Sequence, residues 1–411
     1  MYFEYIEKFP IEQYIINNDI IYAHILEKSD RKETLKEHLE LAIRYFLKII
    51  NAKNLGLIFY NFENKFLSEF SEKGKKLYRE ILFNTIYMHD IGKINYNFQY
   101  KKMKNTELKR KDTLDHSNSN HSMLSSLIYL NHYFLKFVQH EYKEEQNQLL
   151  VFLVLNAYVI SRHHSSFDSF KDFKNKFLEC GEQGWRLYTE DSILYQDIYK
   201  EPIIFKKKGL LENVFKSIDY TLKNMEEKDP SSSIYLYIYV RFLESLLLAC
   251  DYYATSEFKN QRQIDYFGSI EDINKFYDIY INTDISRKIR EYQIEDYKKE
   301  EDFQNIKDIN ILRNELFLEA EENLLRNIDE NIFYLEAPTG SGKSNVGFNL
   351  SFQLLKEVPH LNKIFYVYPF NTLIEQNMET LNKVFGSSDI IEDISVINSL
   401  VPIKTMKEQD T

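Results

Sequence analysis

The chain has 411 residues, 44% of them hydrophobic and 28% charged, which is enough for two or three domains, each with its own core. A net charge of −11 excludes a protein that holds nucleic acid through overall positive charge, so contact with phosphates has to come from local basic patches or bound metal. The two cysteines, Cys180 and Cys250, have no CxxC spacing, which excludes a disulfide framework and a zinc knuckle and fits a reducing cytosol. No basic segment with an apolar core behind it opens the chain. The longest apolar run, Leu149 to Ile160, is about half the ~20 residues of a membrane span, so the expectation is a cytoplasmic protein with no membrane partner.

Residues 1 to about 60 are expected to be mostly helical. Leu35, Leu39, Ala42, Ile43 and Phe46 recur at three- and four-residue spacing and predict an amphipathic helix with His38 close to its apolar stripe. Helix continues over 63–100 with a break near Gly74. It carries Met88-His89-Asp90-Ile91-Gly92-Lys93, in which two metal-capable side chains adjoin and a glycine and a lysine follow. The basic run Lys101 to Lys111 comes next, read either as a solvated loop or as a phosphate-contacting rim. His121 opens another helix, with His116 as its competitor five residues earlier. The apolar helix 149–160 ends in His163-His164, and Asp251 lies in a long apolar helix from Ser232 to Ala254. Turns are expected at Gly184, Pro202, Gly209 and Pro230, and a second basic patch at Lys206-Lys207-Lys208. Almost no strand pattern occurs in this part, which predicts an all-α first domain over 1–285.

Residues 286–310 are charged and patternless and are expected to be a linker. From 311 to 411 the character changes. Asn331 to Glu336 and Lys363 to Pro369 read as strands, with a turn and a helix to about Glu357 between them, a βαβ unit that implies a parallel sheet. Ala337-Pro338-Thr339-Gly340-Ser341-Gly342-Lys343-Ser344 follows the phosphate-loop pattern with alanine for the first glycine. Thr339 to Ser344 would cradle phosphates with backbone N–H groups, Lys343 reaching the β/γ-phosphates of ATP and Ser344 its Mg²⁺. This wording, with Tyr368-Pro369-Phe370-Asn371-Thr372-Leu373-Ile374-Glu375-Gln376-Asn377, resembles the first motifs of superfamily 2 helicases. No Asp-Glu pair closes a later strand and the chain stops at Thr411, so the expectation is an incomplete RecA-like lobe.

Of ten histidines, His38, His89, His121, His163 and His164, with Asp90 and Asp251, are candidates for one pocket. Five imidazoles and two carboxylates can hold two cations with one bridging carboxylate, which suits phosphodiester hydrolysis. Their imidazole content favours Mn²⁺, Fe²⁺, Co²⁺ or Ni²⁺. His24, His116, His132, His140 and His360 are left out of the set. His89-Asp90-Ile91-Gly92-Lys93 with Phe98-Gln99, His121 with Ser125, His163-His164, Asp251 and the downstream phosphate loop together resemble the HD nuclease–helicase of type I CRISPR systems. His24 with Ala23, and Leu35 before His38, are also similar to that family's opening.

The resemblance implies a multidomain chain, an all-α HD domain followed by a partial α/β lobe. It implies that His38, His89, Asp90 and Asp251 hold one metal, and that Asp90, His121, His163 and His164 hold the second. Lys93 would contact the scissile phosphate. Single-stranded DNA would be the substrate, the displaced strand of an R-loop delivered by the RNA-guided surveillance complex. The family's helicase runs further than this sequence, and a truncated, a split and a decayed gene are the readings left open, the split gene implying a separate chain with the rest of the helicase. A small-nucleotide phosphohydrolase and an inert remnant that binds DNA or the surveillance complex are the alternatives.

Overall fold

A computed structural model describes residues 2–15, 18–26, 31–108, 121–138, 143–165, 169–179, 209–268, 272–297 and 306–396. The expected features at Lys109 to Lys111, His116, His140, Cys180, Gly184, Pro202 and Lys206 to Lys208 lie outside these residues. The chain forms two compact units, Met1–Phe267 and Gly268–Thr411.

The first unit is helical around one large apolar core. Its principal helices are α1 (Leu35–Ala52), α2 (Gly56–Leu67), α3 (Glu72–Tyr87), α4 (His121–Val138), α5 (Lys143–Arg162), α6 (Leu210–Lys228) and α7 (Ser232–Asn260). Helix α1 starts where Thr34 accepts a bond from the Glu37 N–H and the Glu37 side chain accepts from the Thr34 N–H. This reciprocal cap is worth about 1 kcal/mol and fixes the first turn, which carries His38. Leu35, His38, Leu39, Ala42, Ile43, Phe46, Ile49 and Ile50 then bury one stripe, as the spacing predicts. The expected break near Gly74 falls at 68–71, where Ser71 caps α3 by accepting from the Gly74 N–H.

The expectation of a purely α first domain needs one correction. Tyr22–Leu26 (β1) and Arg31–Thr34 (β2) form an antiparallel pair, with His24 opposite Glu33 and an irregularity between Tyr22 and His24. Five- and four-residue strands interrupted by such an irregularity offer little alternation to read. Helix α7 is long and apolar enough to cross a membrane by length and composition. Here it packs against α1, α3, α5 and α6 and contributes Leu243, Leu247 and Cys250 to the core.

In the second unit, α8 (Ile273–Ile281), α9 (Asp284–Glu295), α10 (Ile309–Arg326), α11 (Lys343–Glu357) and α12 (Asn371–Phe385) build two small cores. Phe276, Tyr280, Phe348, Phe352, Leu381 and Phe385 form one, and Ile289, Phe317, Leu318 and Val346 the other. The division at 267/268 is therefore earlier than the expected boundary at 285. The first part of the expected linker is α9, capped by Thr283 and held by Ile289 and by a two-pronged Arg290–Glu321 pair at 2.7 and 2.6 Å. Its charge concealed a helix with one narrow apolar face.

The expected parallel sheet is not formed among the described residues, where β1–β2 is the only ladder. Segments 331–337 and 363–368 run without strand pairing, and Tyr334 (94%) and Val367 (89%) are exposed. Strands of a parallel sheet owe their stability to burial on both faces and to neighbours on their edges, and neither is present here. The intervening turn and helix do form as expected.

Candidate metal centre and phosphate loop

Three helix termini, one turn and the body of a fourth helix bring the seven predicted ligands together. His38 comes from the first turn of α1, His89 and Asp90 from the turn after α3, and His121 from the start of α4. His163 and His164 lie just past α5, and Asp251 two-thirds of the way along α7. Helix ends suit this role because a short turn can aim adjacent residues at one point, which a continuing helix cannot.

The turn Ile91–Ile94 is locked by its glycine. A Cβ at Gly92 would lie 2.1 Å from the His121 carbonyl and 2.6 Å from the Ser125 nitrogen, so only glycine lets α4 approach. The Gly92 N–H donates to Ser125 Oγ at 2.8 Å, and that hydroxyl donates to the His121 carbonyl at 3.0 Å. Gln99 closes the turn from the other side. Its amide donates to the Lys93 and Tyr22 carbonyls at 2.7 and 2.8 Å, and its oxygen accepts from the Tyr22 N–H. Phe98 meets the edge of the His121 ring at 4.9 Å between centroids.

Asp90 is fully buried, and its two oxygens face different groups. Oδ2 lies 3.2 Å from His38 Nε2 and 3.5 Å from His89 Nε2, and Asp251 Oδ1 lies 3.2 and 3.7 Å from the same two nitrogens. Oδ1 lies 3.0 Å from His121 Nε2, 3.1 Å from His163 Nε2 and 4.0 Å from His164 Nε2. The ligand atoms thus fall into two clusters that share Asp90. Lys93 Nζ pairs with Asp90 Oδ2 at 2.7 Å. His38, His89 and His163 are buried, while the His164 side chain is 46% exposed and opens the centre to solvent on that side.

The electrostatics follow from burial and from the company each group keeps. Burial pushes the Asp90 carboxyl up, but the Lys93, His89 and His121 charges outweigh it and hold it well below the ordinary range. Asp251 behaves alike, with the nearby His38 and His89 imidazoles overcoming burial. Burial pulls His38 down, but Asp251, Asp90 and Glu33 together hold it well above an ordinary histidine. Burial dominates at His121, which is lowered, and at His164, lowered to about 4.

The residues fit a pair of divalent cations. His38 Nε2, His89 Nε2 and Asp90 Oδ2 are buried and lie near charged neighbours without making a well-aligned hydrogen bond, a costly arrangement unless a cation completes it. His89 and His163 each turn Nδ1 to a backbone carbonyl, Ile86 at 2.8 Å and Ile160 at 2.6 Å, leaving Nε2 free of its proton to ligate. Left out of the predicted set, His24 belongs to a third cluster with Glu33 and His38. As a lone histidine on an irregular strand it offers no spacing signal. The hairpin and its register bring it there.

The phosphate loop has the expected turn. Gly340 and Gly342 take positive φ, +83° and +89°, and α11 starts at Lys343. Thr339 and Ser344 are exposed, and Ser341 is buried with its hydroxyl unbonded. Lys343 Nζ donates to the Pro338 carbonyl at 2.8 Å and to the Ala337 carbonyl. Arg313 clamps the Gly340 carbonyl through Nε and Nη2 at 3.0 and 2.7 Å.

Residues 286–408 match the family model described as type III restriction enzyme, res subunit. This supports a superfamily 2 helicase-like segment with a nucleic-acid-related ATPase or helicase type of function. No curated protein and no solved structure matches the chain.

Proposed function

We propose that the first unit is a two-metal phosphodiesterase that cuts single-stranded DNA, joined to an ATP-binding helicase-like segment. The observation that carries this reading is the division of one buried carboxylate. Asp90 Oδ2 faces His38, His89 and Asp251, and Oδ1 faces His121, His163 and His164. Two divalent transition ions held there would supply a hydroxide nucleophile and neutralise the charge that develops on the phosphate. The chain's own part is to fix the six partners of Asp90 before substrate arrives, so little reorganisation accompanies the reaction. Lys93, already 2.7 Å from Asp90 Oδ2, is placed to hold a non-bridging phosphate oxygen. The half-exposed His164 marks the side from which a strand enters.

The helicase-like match favours nucleic acid over a free nucleotide as substrate, because the two segments share one chain. The motif order supports a role in type I CRISPR defence, with the displaced strand presented by the surveillance complex as the proposed substrate. In the second unit, Thr339, Gly340, Ser341, Gly342, Lys343 and Ser344 would hold ATP with Mg²⁺, Lys343 leaving the Ala337 and Pro338 carbonyls for the phosphates.

Circular single-stranded DNA incubated with the protein and Mn²⁺, Co²⁺ or Ni²⁺ tests this. Degradation that stops with chelator and is absent from Asp90→Asn supports the nuclease. Hydrolysis of small nucleotides with intact DNA points to a phosphohydrolase instead, and loss of both with DNA binding retained points to a binding remnant.

A further inference from the structure

Glu33 is a buried carboxylate that the proposed reaction does not use. Only 3% of it is exposed, and it sits between two imidazoles. A buried, ionised carboxylate is destabilising unless its partners justify it. Glu33 Oε2 accepts from His24 Nδ1 at 2.6 Å and stands 3.4 Å from His38 Nδ1, a buried nitrogen that no shorter bond satisfies. The other face of His24 turns to Lys93, with Nε2 3.4 Å from Nζ. An ammonium only donates, so His24 Nε2 must be the bare nitrogen there, and Nδ1 then carries the proton that Glu33 accepts. The contacts close a ring that runs Asp90, Lys93, His24, Glu33, His38 and back to Asp90.

Building on the metal-centre reading above, we infer that His24 and Glu33 are a positioning pair. Glu33 sets the tautomer and ring angle of His38, and His24 ties that same carboxylate to Lys93. Glu33 Oε2 stands on the Nδ1 side of His38, so when a cation takes the Asp90–Asp251 side the ring keeps its proton on Nδ1 and ligates through Nε2. His89 and His163 use backbone carbonyls for the same purpose, whereas at His38 a side chain takes that place. The three residues do not make a third cation site. His38 would have to give up both ring protons to bind on both nitrogens, while its Nε2 already faces the Asp90–Asp251 cluster.

The pair predicts that the ion on the Oδ2 side depends on residues that never touch DNA. Mn²⁺ titration of the full chain, followed by calorimetry and by electron paramagnetic resonance, should give two ions in wild type. Glu33→Ala should raise the Kd of one ion about 10–100-fold and leave the other unchanged. Glu33→Gln, whose amide oxygen still accepts from an imidazole N–H, should recover most of that loss. His24→Phe should change Mn²⁺ affinity less than Glu33→Ala and lower kcat for DNA cleavage about tenfold at unchanged KM, as Lys93 loses its guide. Two ions of wild-type affinity in a folded Glu33→Ala protein overturn the inference, and so does a third ion in wild type that Glu33→Ala abolishes. If Glu33→Ala does not fold, wild-type affinity for both ions in Glu33→Leu, which keeps the bulk but has no acceptor, together with unaltered kcat in His24→Phe overturns it. Failure of wild type to bind two ions would instead defeat the two-metal reading itself.

Discussion

The two units hold their chemistry in opposite ways. In the first, seven ligand side chains, six from helix ends or the turn that follows one and Asp251 from within α7, converge on one large core, and most are buried before any ligand arrives. In the second, the phosphate loop turns as it should, but the flanking segments make no sheet and Lys343 bonds its own loop. The difference lies in what each site needs. Imidazoles and carboxylates can be aimed by helix packing within one unit. A phosphate loop is normally stiffened by strands that are paired on both edges. The first unit is therefore expected to act without help from the second.

Substituting Asp90 should have the largest effect. Asp90→Asn removes the shared carboxylate charge, and metal-dependent cleavage of circular single-stranded DNA should fall to the level without enzyme. Nucleotide binding by the second unit should stay as in wild type, and a change there would break the separation of the two.

Gly92→Ala tests how rigidly the first site is built. Its Cβ would meet the His121 carbonyl at 2.1 Å, and backbone cannot yield as a side-chain tip can. Overpacking of this kind costs about 1–3 kcal/mol, which should lower the melting temperature of the first unit by about 3–10 °C. An unshifted melt would show that α4 docks more loosely than described.

Lys343→Ala sharpens the comparison from the other side. Loss of one charge-assisted contact to phosphate should weaken ATP binding about 10–100-fold, read by fluorescence with an ATP analogue, while cleavage of single-stranded DNA changes less than about twofold. Equal losses of both activities would contradict the independence of the first unit.

The smallest effect concerns pH. His38 is held protonated above the ordinary range by Asp251, Asp90 and Glu33 against its burial, whereas His164, at about 4, is neutral at pH 7. A cation on the Oδ2 side must therefore displace a proton, and one on the Oδ1 side need not displace one from His164. Affinity of the first ion should rise as pH increases through neutrality, up to about tenfold per unit, until His38 is already deprotonated. Calorimetry in buffers of different ionisation enthalpy should show proton release for one ion.

How much of this could be read beforehand differs between the units. His38, His121, His163, His164 and Asp251 were visible because each sits where an apolar helical stripe begins, ends or is interrupted. Burying a polar group in such a place needs a reason. Their meeting point was not visible, since it depends on the close approach that Gly92 permits and on Gln99 tying the turn to β1. The hairpin escaped notice because its strands are short and irregular, and His24 and Glu33 escaped with it. Helix α9 is hard to read within the charged stretch because its single apolar side is masked by charge. In the second unit the opposite error occurred. The apolar runs 331–336 and 363–369 have the composition of buried strands, yet composition does not supply the neighbours that a parallel sheet requires.

The central claim is that Asp90 bridges two cations, and the spin state of bound Mn²⁺ tests it most directly. With two equivalents of Mn²⁺ in wild type, the account predicts a spin-coupled dinuclear spectrum that becomes uncoupled or loses an ion in Asp90→Asn. A single uncoupled Mn²⁺ in wild type, or coupling that survives in Asp90→Asn, would contradict it.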